Sequence, residues 1–214
     1  MSKPVVEAVL AEKLHEGIRR LGLVLPEGSE ARLLAYLLLL HKWNAAYNLT
    51  AVRDPEQMVV KHLLDSLSIL PHVQGGRLID VGTGAGLPGL VLALVKPELQ
   101  VTLLDSNGKK VRFLRQAIAD LKVANAVAVQ SRVEEFAERF DVVTSRAFAT
   151  LADMVEGSAQ LLLEGGEFLA MKGVRPDAEI AGLPAGIVVR DILPLQVPFL
   201  GEERHVVRLT QEHA

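Results

Sequence analysis

The chain is 214 residues long with 50% hydrophobic and 23% charged side chains, enough apolar mass to bury one good core and too much for a disordered chain. It has no cysteine, which excludes a disulfide framework, a thiolate metal site and a cysteine nucleophile, and fits a reducing cytoplasm. A net charge of −3 excludes a generally basic coat, so any nucleic-acid binding has to rest on a local basic surface.

Val5, Val6, Val9, Leu10, Ile18 and Leu21 recur at helical spacing until Gly22 stops the segment. A second helix is predicted from about Ser29 to Trp43. Its apolar run, Leu33 to Leu40, is too short to span a bilayer and ends at His41 and Lys42. Met1-Ser2-Lys3-Pro4 lacks the apolar region and cleavage site of a signal peptide, so a soluble cytoplasmic protein is expected. Asp54-Pro55 reads as the N-cap and first position of a third helix reaching Leu70, before Pro71 and Gly75-Gly76 break the chain.

From Arg77 onward the pattern changes to strands alternating with helices. Arg77 to Val81, Val101 to Asp105, Ala126 to Gln130, Asp141 to Ser145 and Glu167 to Lys172 read as strands. Helices are predicted near Leu87 to Val95, Lys109 to Leu121, Val133 to Arg139 and Leu151 to Leu163. Such alternation implies a parallel sheet with helices on both faces. Ile187 to Leu193 and His205 to Leu209 are strand-like with only a loop between them, so the last pair should be antiparallel. The expectation is one α/β domain with a mostly parallel seven-stranded Rossmann-like sheet and an antiparallel C-terminal edge. Residues 1–73 form its helical cap and residues 74–214 its core.

Function is most legible in Asp80-Val81-Gly82-Thr83-Gly84-Ala85-Gly86-Leu87-Pro88-Gly89, where a strand runs into alternating glycines and then a helix. Missing Cβ atoms at such a turn let the backbone approach a nucleotide-like ligand closely. Gly84-x-Gly86-x-x-Gly89 also fits a dinucleotide fingerprint, so the glycines alone leave an NAD-dependent oxidoreductase open. Asp80 favours the methyl-transfer reading. At the carboxyl end of its strand it is expected to face a cationic group such as the ammonium of S-adenosylmethionine, where a pyrophosphate would be repelled. Pro88 lacks the N–H that a phosphate-cradling helix start presents. Asp105, 25 residues beyond Asp80, is positioned to accept from both ribose hydroxyls, or to cap the next helix.

Other polar residues at strand ends extend the site. Glu134, after the third strand in Ser131-Arg132-Val133-Glu134, can bind an adenine edge or complement a helix dipole. Arg146 ends the fourth strand and Lys172 the fifth, the end that faces the transferred group in a methyltransferase architecture, and both are read as catalytic, with a structural ion pair the alternative for Arg146. Lys109, Lys110, Arg112 and Arg115 cluster at a helix start that disfavours cations, which suggests phosphate contacts beyond a merely solvated face. Trp43, Asn44, Tyr47 and Asn48 either end a helix or stack on and read a base, with Arg53 close behind. His62 and Asp65 lack a third ligand, so they read as a hydrogen-bonded structural pair and no metal site is expected.

Trp43-Asn44-x-x-Tyr47-Asn48-Leu49-Thr50-Ala51-Val52-Arg53-Asp54, His62-x-x-Asp65-Ser66-Leu67, the glycine segment, Leu104-Asp105-Ser106-x-x-Lys109-Lys110, Ser145-Arg146-Ala147-Phe148-Ala149 and Ala170-Met171-Lys172-Gly173 stand in this order along the chain. Together they resemble the bacterial ribosomal RNA small subunit methyltransferase G family, also called glucose-inhibited division protein B. The resemblance implies a class I S-adenosylmethionine-dependent enzyme that methylates N7 of a guanine (guanine 527) in the 530 loop of 16S ribosomal RNA. Its partner would be that RNA or a small-subunit precursor. It also implies cofactor contacts at Gly82, Leu87, Val133, Glu134 and Arg146, beside Asp80, Gly84, Gly86 and Asp105. The RNA surface would include Asn44, Asn48, Arg53, Lys109, Lys110 and Arg112. A non-catalytic RNA-binding module of the same fold is the remaining alternative.

Overall fold

A computed structural model describes residues 3–146 and 148–212. Helices α1 (Lys3–Arg20) and α2 (Ser29–Tyr47) open the chain. The third predicted helix is broken into α3 (Pro55–Met58), a π-helical segment (Val59–Leu64) and α4 (Asp65–Leu67). Its start is as expected: the Asp54 carboxylate accepts from the Gln57 N–H at 3.1 Å and Pro55 follows directly.

The remainder alternates: β1 (Arg77–Val81), α5 (Gly89–Val95), β2 (Gln100–Asp105), α6 (Gly108–Asp120), β3 (Ala126–Gln130), β4 (Phe140–Ser145), α7 (Leu151–Ser158) and β5 (Leu162–Lys172). A short helix α8 (Asp177–Ala181), not foreseen in the sequence, precedes β6 (Ile187–Pro194) and β7 (His205–Gln211). The seven strands run in the order β3-β2-β1-β4-β5-β7-β6. The first five are parallel, whereas β7 is antiparallel to both β5 and β6, as the missing crossover helix predicts. The chain leaves the β3 edge and restarts at β4 beside β1, so the order reverses between β1 and β4. A crevice opens beyond the carboxyl ends of strands at such a point.

The helix expected from Val133 to Arg139 is only a 3-10 turn, Val133–Glu135. Val133, Phe136 and Phe140 have helical spacing, but tertiary contacts hold the segment extended. Phe136 stacks on Phe140 at 6.2 Å, and the Arg77 guanidinium lies over the Phe140 ring while donating to the Arg139 carbonyl and Glu138.

One hydrophobic cluster runs from Leu10, Leu14 and Ile18 of α1 through Leu33 and Leu37 of α2 to α5 and the facing side of the sheet. A second lies on the opposite side, between Phe140, Val143 and Phe168 of the sheet and Leu151 and Met154 of α7. The initial helices thus cover one sheet face and α7 the other. Among the described residues no helix is long and apolar enough to cross a membrane, and no three His, Asp or Glu side chains gather to hold a metal.

Candidate active site

The glycine loop is held from beneath by Asp80. This side chain is fully buried, and its Oδ2 accepts from the Thr83 hydroxyl at 2.6 Å and from the Gly89 N–H at 2.7 Å. Among the described residues Oδ1 has no hydrogen-bond partner. Burial pushes the carboxyl up to about 6 against the opposing pull of those two donors. Asp80 is expected to face a ligand, but in this structure its Oδ2 turns under the loop to the start of α5, and the residue is not among those lining the cleft.

Gly84 and Gly86 have φ of +62° and +98°, a region that disfavours side chains. They do different things. A Cβ on Gly86 would lie 2.7 Å from the Leu90 Cβ, so this glycine permits packing against α5, while a Cβ on Gly84 would meet nothing closer than 4.0 Å. Leu87 is buried in the core and lines no part of the cleft. At the loop's start the N–H groups of Gly82 and Thr83 both donate to the Leu104 carbonyl, tying it to β2.

Asp105 sits at the end of β2. Its Oδ2 accepts from the Gly84 N–H at 2.9 Å and its Oδ1 from the Asn107 N–H at 2.8 Å, and the Lys110 Nζ lies 3.7 Å from Oδ2. Asn107, not Asp105, caps α6 by accepting from the Lys109 N–H. A carboxylate offers about four lone-pair directions, so Asp105 keeps capacity for two ribose hydroxyls. It opens onto a cleft of about 340 Å³ that also takes in Gly82, Leu104, Val133, Glu134 and Phe148. Apolar side chains of Leu104, Val133 and Phe148 together with the carboxylates of Asp105 and Glu134 make a lining whose chemistry suits an adenosine.

A second cavity, about 380 Å³, lies beyond β4 and β5 and is lined by Val52, Lys61, His62, Asp65, Arg146, Met171, Lys172, Gly173 and Arg204. Arg146, expected among the cofactor contacts, lines this cavity rather than the adenosine-sized cleft. Its Nη1 donates to the Asp65 Oδ2 at 2.9 Å and to the Lys61 carbonyl at 3.0 Å. Lys172 reaches Glu179 at 2.8 Å and the Ala149 carbonyl at 3.1 Å. The His62 and Asp65 side chains are not bonded to each other, contrary to the paired reading; the two residues meet through the Asp65 N–H and the His62 carbonyl. The His62 Nε2 shares a hydrogen bond with the Thr50 hydroxyl at 2.9 Å, its buried Nδ1 has no hydrogen-bond partner among the described residues, and burial holds its pKa down at about 4. The ring is therefore neutral at pH 7.

The expected RNA-facing residues divide. Asn44 is only 2% exposed, and its amide accepts from the Thr50 N–H and donates to the Val52 carbonyl, so it shapes the loop after α2 and presents nothing outward. Asn48 ends α2 at φ +51° and accepts from the Arg53 guanidinium at 2.6 Å. Trp43 stacks on Tyr47 at 5.0 Å and tilts against Phe113 at 5.7 Å, so both part-exposed rings pack on the core. Lys109 and Arg112 are exposed on α6, whereas Lys110 leans toward Asp105.

The profile of the rRNA small subunit methyltransferase G (GidB) family matches residues 29–207. The chain belongs to this family. It is 56% identical over 198 residues to the ribosomal RNA small subunit methyltransferase G of Chromohalobacter salexigens, covering 92% of this chain and 95% of that protein. Identity to the namesake in Stenotrophomonas maltophilia strain K279a is 51% over 212 residues, 98% of this chain and 99% of the relative. The fold is similar to that of a SAM-dependent methyltransferase from Aquifex aeolicus, with a TM-score of 0.60 and 16% identity over 76% of this chain and 96% of the other. It is also similar to Aeropyrum pernix fibrillarin in complex with S-adenosyl-L-methionine, at 0.54 and 16%, covering 69% and 73%.

As a methyltransferase G family member with this fold, the protein is a methyltransferase whose methyl source is S-adenosylmethionine. The hydride-transfer alternative falls away. Two further residues of the candidate site went unread in the sequence. Phe148 is visible there only as part of a motif, and Arg204 stands in the β6–β7 loop, 139 positions from its partner Asp65.

Proposed function

We propose that the protein transfers a methyl group to N7 of a guanine in the 530 loop of 16S ribosomal RNA, guanine 527 in the family's substrate. Two adjoining cavities carry this reading. One, beyond β1 to β3, fits an adenosine; the other, beyond β4 and β5, has a volume and a planar, cationic lining suited to a purine turned out of its stack. The β4–α7 segment joins them, since Arg146 lines the second and Phe148 the first.

When bound, S-adenosylmethionine supplies an electrophilic methyl on a sulfonium. Guanine N7 carries an in-plane lone pair and no proton, so no general base is needed, in keeping with a second cavity whose histidine is buried and neutral. The work left to this chain is alignment. Asp105 and Glu134 hold ribose and adenine edges, with Gly82 and Gly84 giving close backbone approach. Across the ring, Val52, His62 and Met171 bound the base, and the free edge of Arg146 donates to guanine O6, the acceptor beside N7. Lys172, tied to Glu179, supports the same edge. Arg53, Lys109 and Arg112 contact RNA phosphates. Labelled S-adenosylmethionine incubated with immature small ribosomal subunits tests this: label in 16S RNA supports it, and cofactor binding without transfer would favour the non-catalytic RNA-binding module.

A further inference from the structure

Asp65 stands where the π-helical segment gives way to α4, and it is 2% exposed. Its backbone N–H is shared between the His62 carbonyl and the Val60 carbonyl, the latter five residues earlier as in the wide turn of a π-helix, and it leaves the Lys61 carbonyl unused. Such turns shift the helical hydrogen-bond ladder by one residue and turn groups outward that an α-helix would use internally. Here the Lys61 carbonyl and the Asp65 carboxylate converge on one nitrogen, the Arg146 Nη1, at 3.0 and 2.9 Å. The other carboxylate oxygen accepts from the Arg204 Nε at 3.1 Å. Arg204 is otherwise spent within its own loop, on Glu202 at 3.0 Å and on the Glu203 carbonyl at 2.7 Å, and Glu202 is held in turn by Lys61. Arg146 differs. Among the described residues its Nε and Nη2 make no hydrogen bond, and they belong to a side chain that lines the second cavity.

We propose that Asp65 is the positioning residue for Arg146. Together with the Lys61 carbonyl it pins Nη1 and leaves the Nε and Nη2 edge directed at the target base. A guanidinium is planar, so two acceptors on one nitrogen fix both its location and the direction of its remaining donors. Arg204 prevents the carboxylate from swinging to follow Arg146, since its second oxygen is already engaged. Removing the charge would leave two partly buried guanidiniums facing one neutral group, and Arg146 would lose its orientation first.

This inference rests on the reading of the second cavity as the base site. The test is a double-mutant cycle on methyl transfer, with Asp65→Asn and Asp65→Glu each made in the parent and in an Arg146→Lys background. Asp65→Glu keeps the buried charge and decides the matter if Asp65→Asn does not fold. The expected result is a fall in kcat of about tenfold or more for each Asp65 variant in the parent, with cofactor affinity nearly unchanged, shrinking to less than about twofold once Arg146 is already Lys. Equal fractional losses of kcat in both backgrounds would overturn it, because a residue that only supports the fold acts regardless of Arg146. If Arg146→Lys alone retained full turnover, the base-site reading would have failed instead.

Discussion

Asp80 and His62 are buried titratable groups with opposed effects on stability. Burial raises the Asp80 carboxyl from its ordinary 3.8 to about 6 and lowers His62 from 6.5 to about 4. A folded state that keeps a proton the unfolded chain has lost is destabilised as pH rises, so Asp80 lowers stability from about pH 4 to about pH 6. The unfolded chain protonates His62 first, so that group lowers stability as pH falls through nearly the same window. Each contributes on the order of 2–3 kcal/mol and the two largely cancel. Urea titrations from pH 4 to 6.5 should show stability rising more steeply with pH in Asp80→Asn than in the parent, and less steeply in His62→Gln. Identical slopes in all three would mean that neither group is perturbed. The glycines separate in the same residue-level way. Gly84→Val should fold with a modest loss, from strain at φ +62°, and lose cofactor affinity at least about tenfold by calorimetry. Gly86→Ala should instead lose stability, because its Cβ meets the Leu90 Cβ at 2.7 Å.

Helix α6 shows how one element serves two surfaces. Val111, Phe113, Leu114 and Ala117 face the core, and Lys109 and Arg112, three apart, share an exposed face. Lys110 turns instead toward Asp105 at 3.7 Å. Reversing Lys109 and Arg112 to Glu should weaken RNA binding and reduce the slope of log affinity against log salt by roughly one per lost phosphate contact, with cofactor affinity unchanged. Filter binding across a salt series measures the slope, and an unaltered slope would leave α6 a solvated face. Lys110→Glu should by contrast disturb cofactor binding. Elements whose apolar spacing matched their final contacts, β1, β2, α6 and the antiparallel pair β6 and β7, were legible in the sequence. The Val133–Arg139 segment was not, because Arg77, 62 positions before Arg139, reaches it from β1 and outweighs local spacing. The π turn at Val59–Leu64 leaves no periodicity of its own to read.

Over the whole molecule, the glycine loop and Asp105 are local patterns and were readable, whereas the second cavity is assembled from five separate stretches of chain between Val52 and Arg204. Asp65 and Arg146 could each be seen in the sequence, but their pairing could not, and Arg204 drew no attention there. The cluster joining α1 and α2 to the sheet suggests that cap and core unfold together. The single tryptophan, Trp43 of α2, tests this, since its fluorescence reports the cap while far-ultraviolet circular dichroism reports the whole chain. Coincident denaturant transitions are expected, and an earlier fluorescence transition would make residues 1–73 a separate unit. The atom that receives the methyl distinguishes this function from any other methyl transfer to the same RNA. Small-subunit RNA treated with the protein and S-adenosylmethionine, then with borohydride and aniline, is cut where a guanine carries a methyl on N7. A single new cut in the 530 loop, absent without cofactor, is the predicted result; transferred methyl with no such cut, or cuts elsewhere in the RNA, would contradict the account.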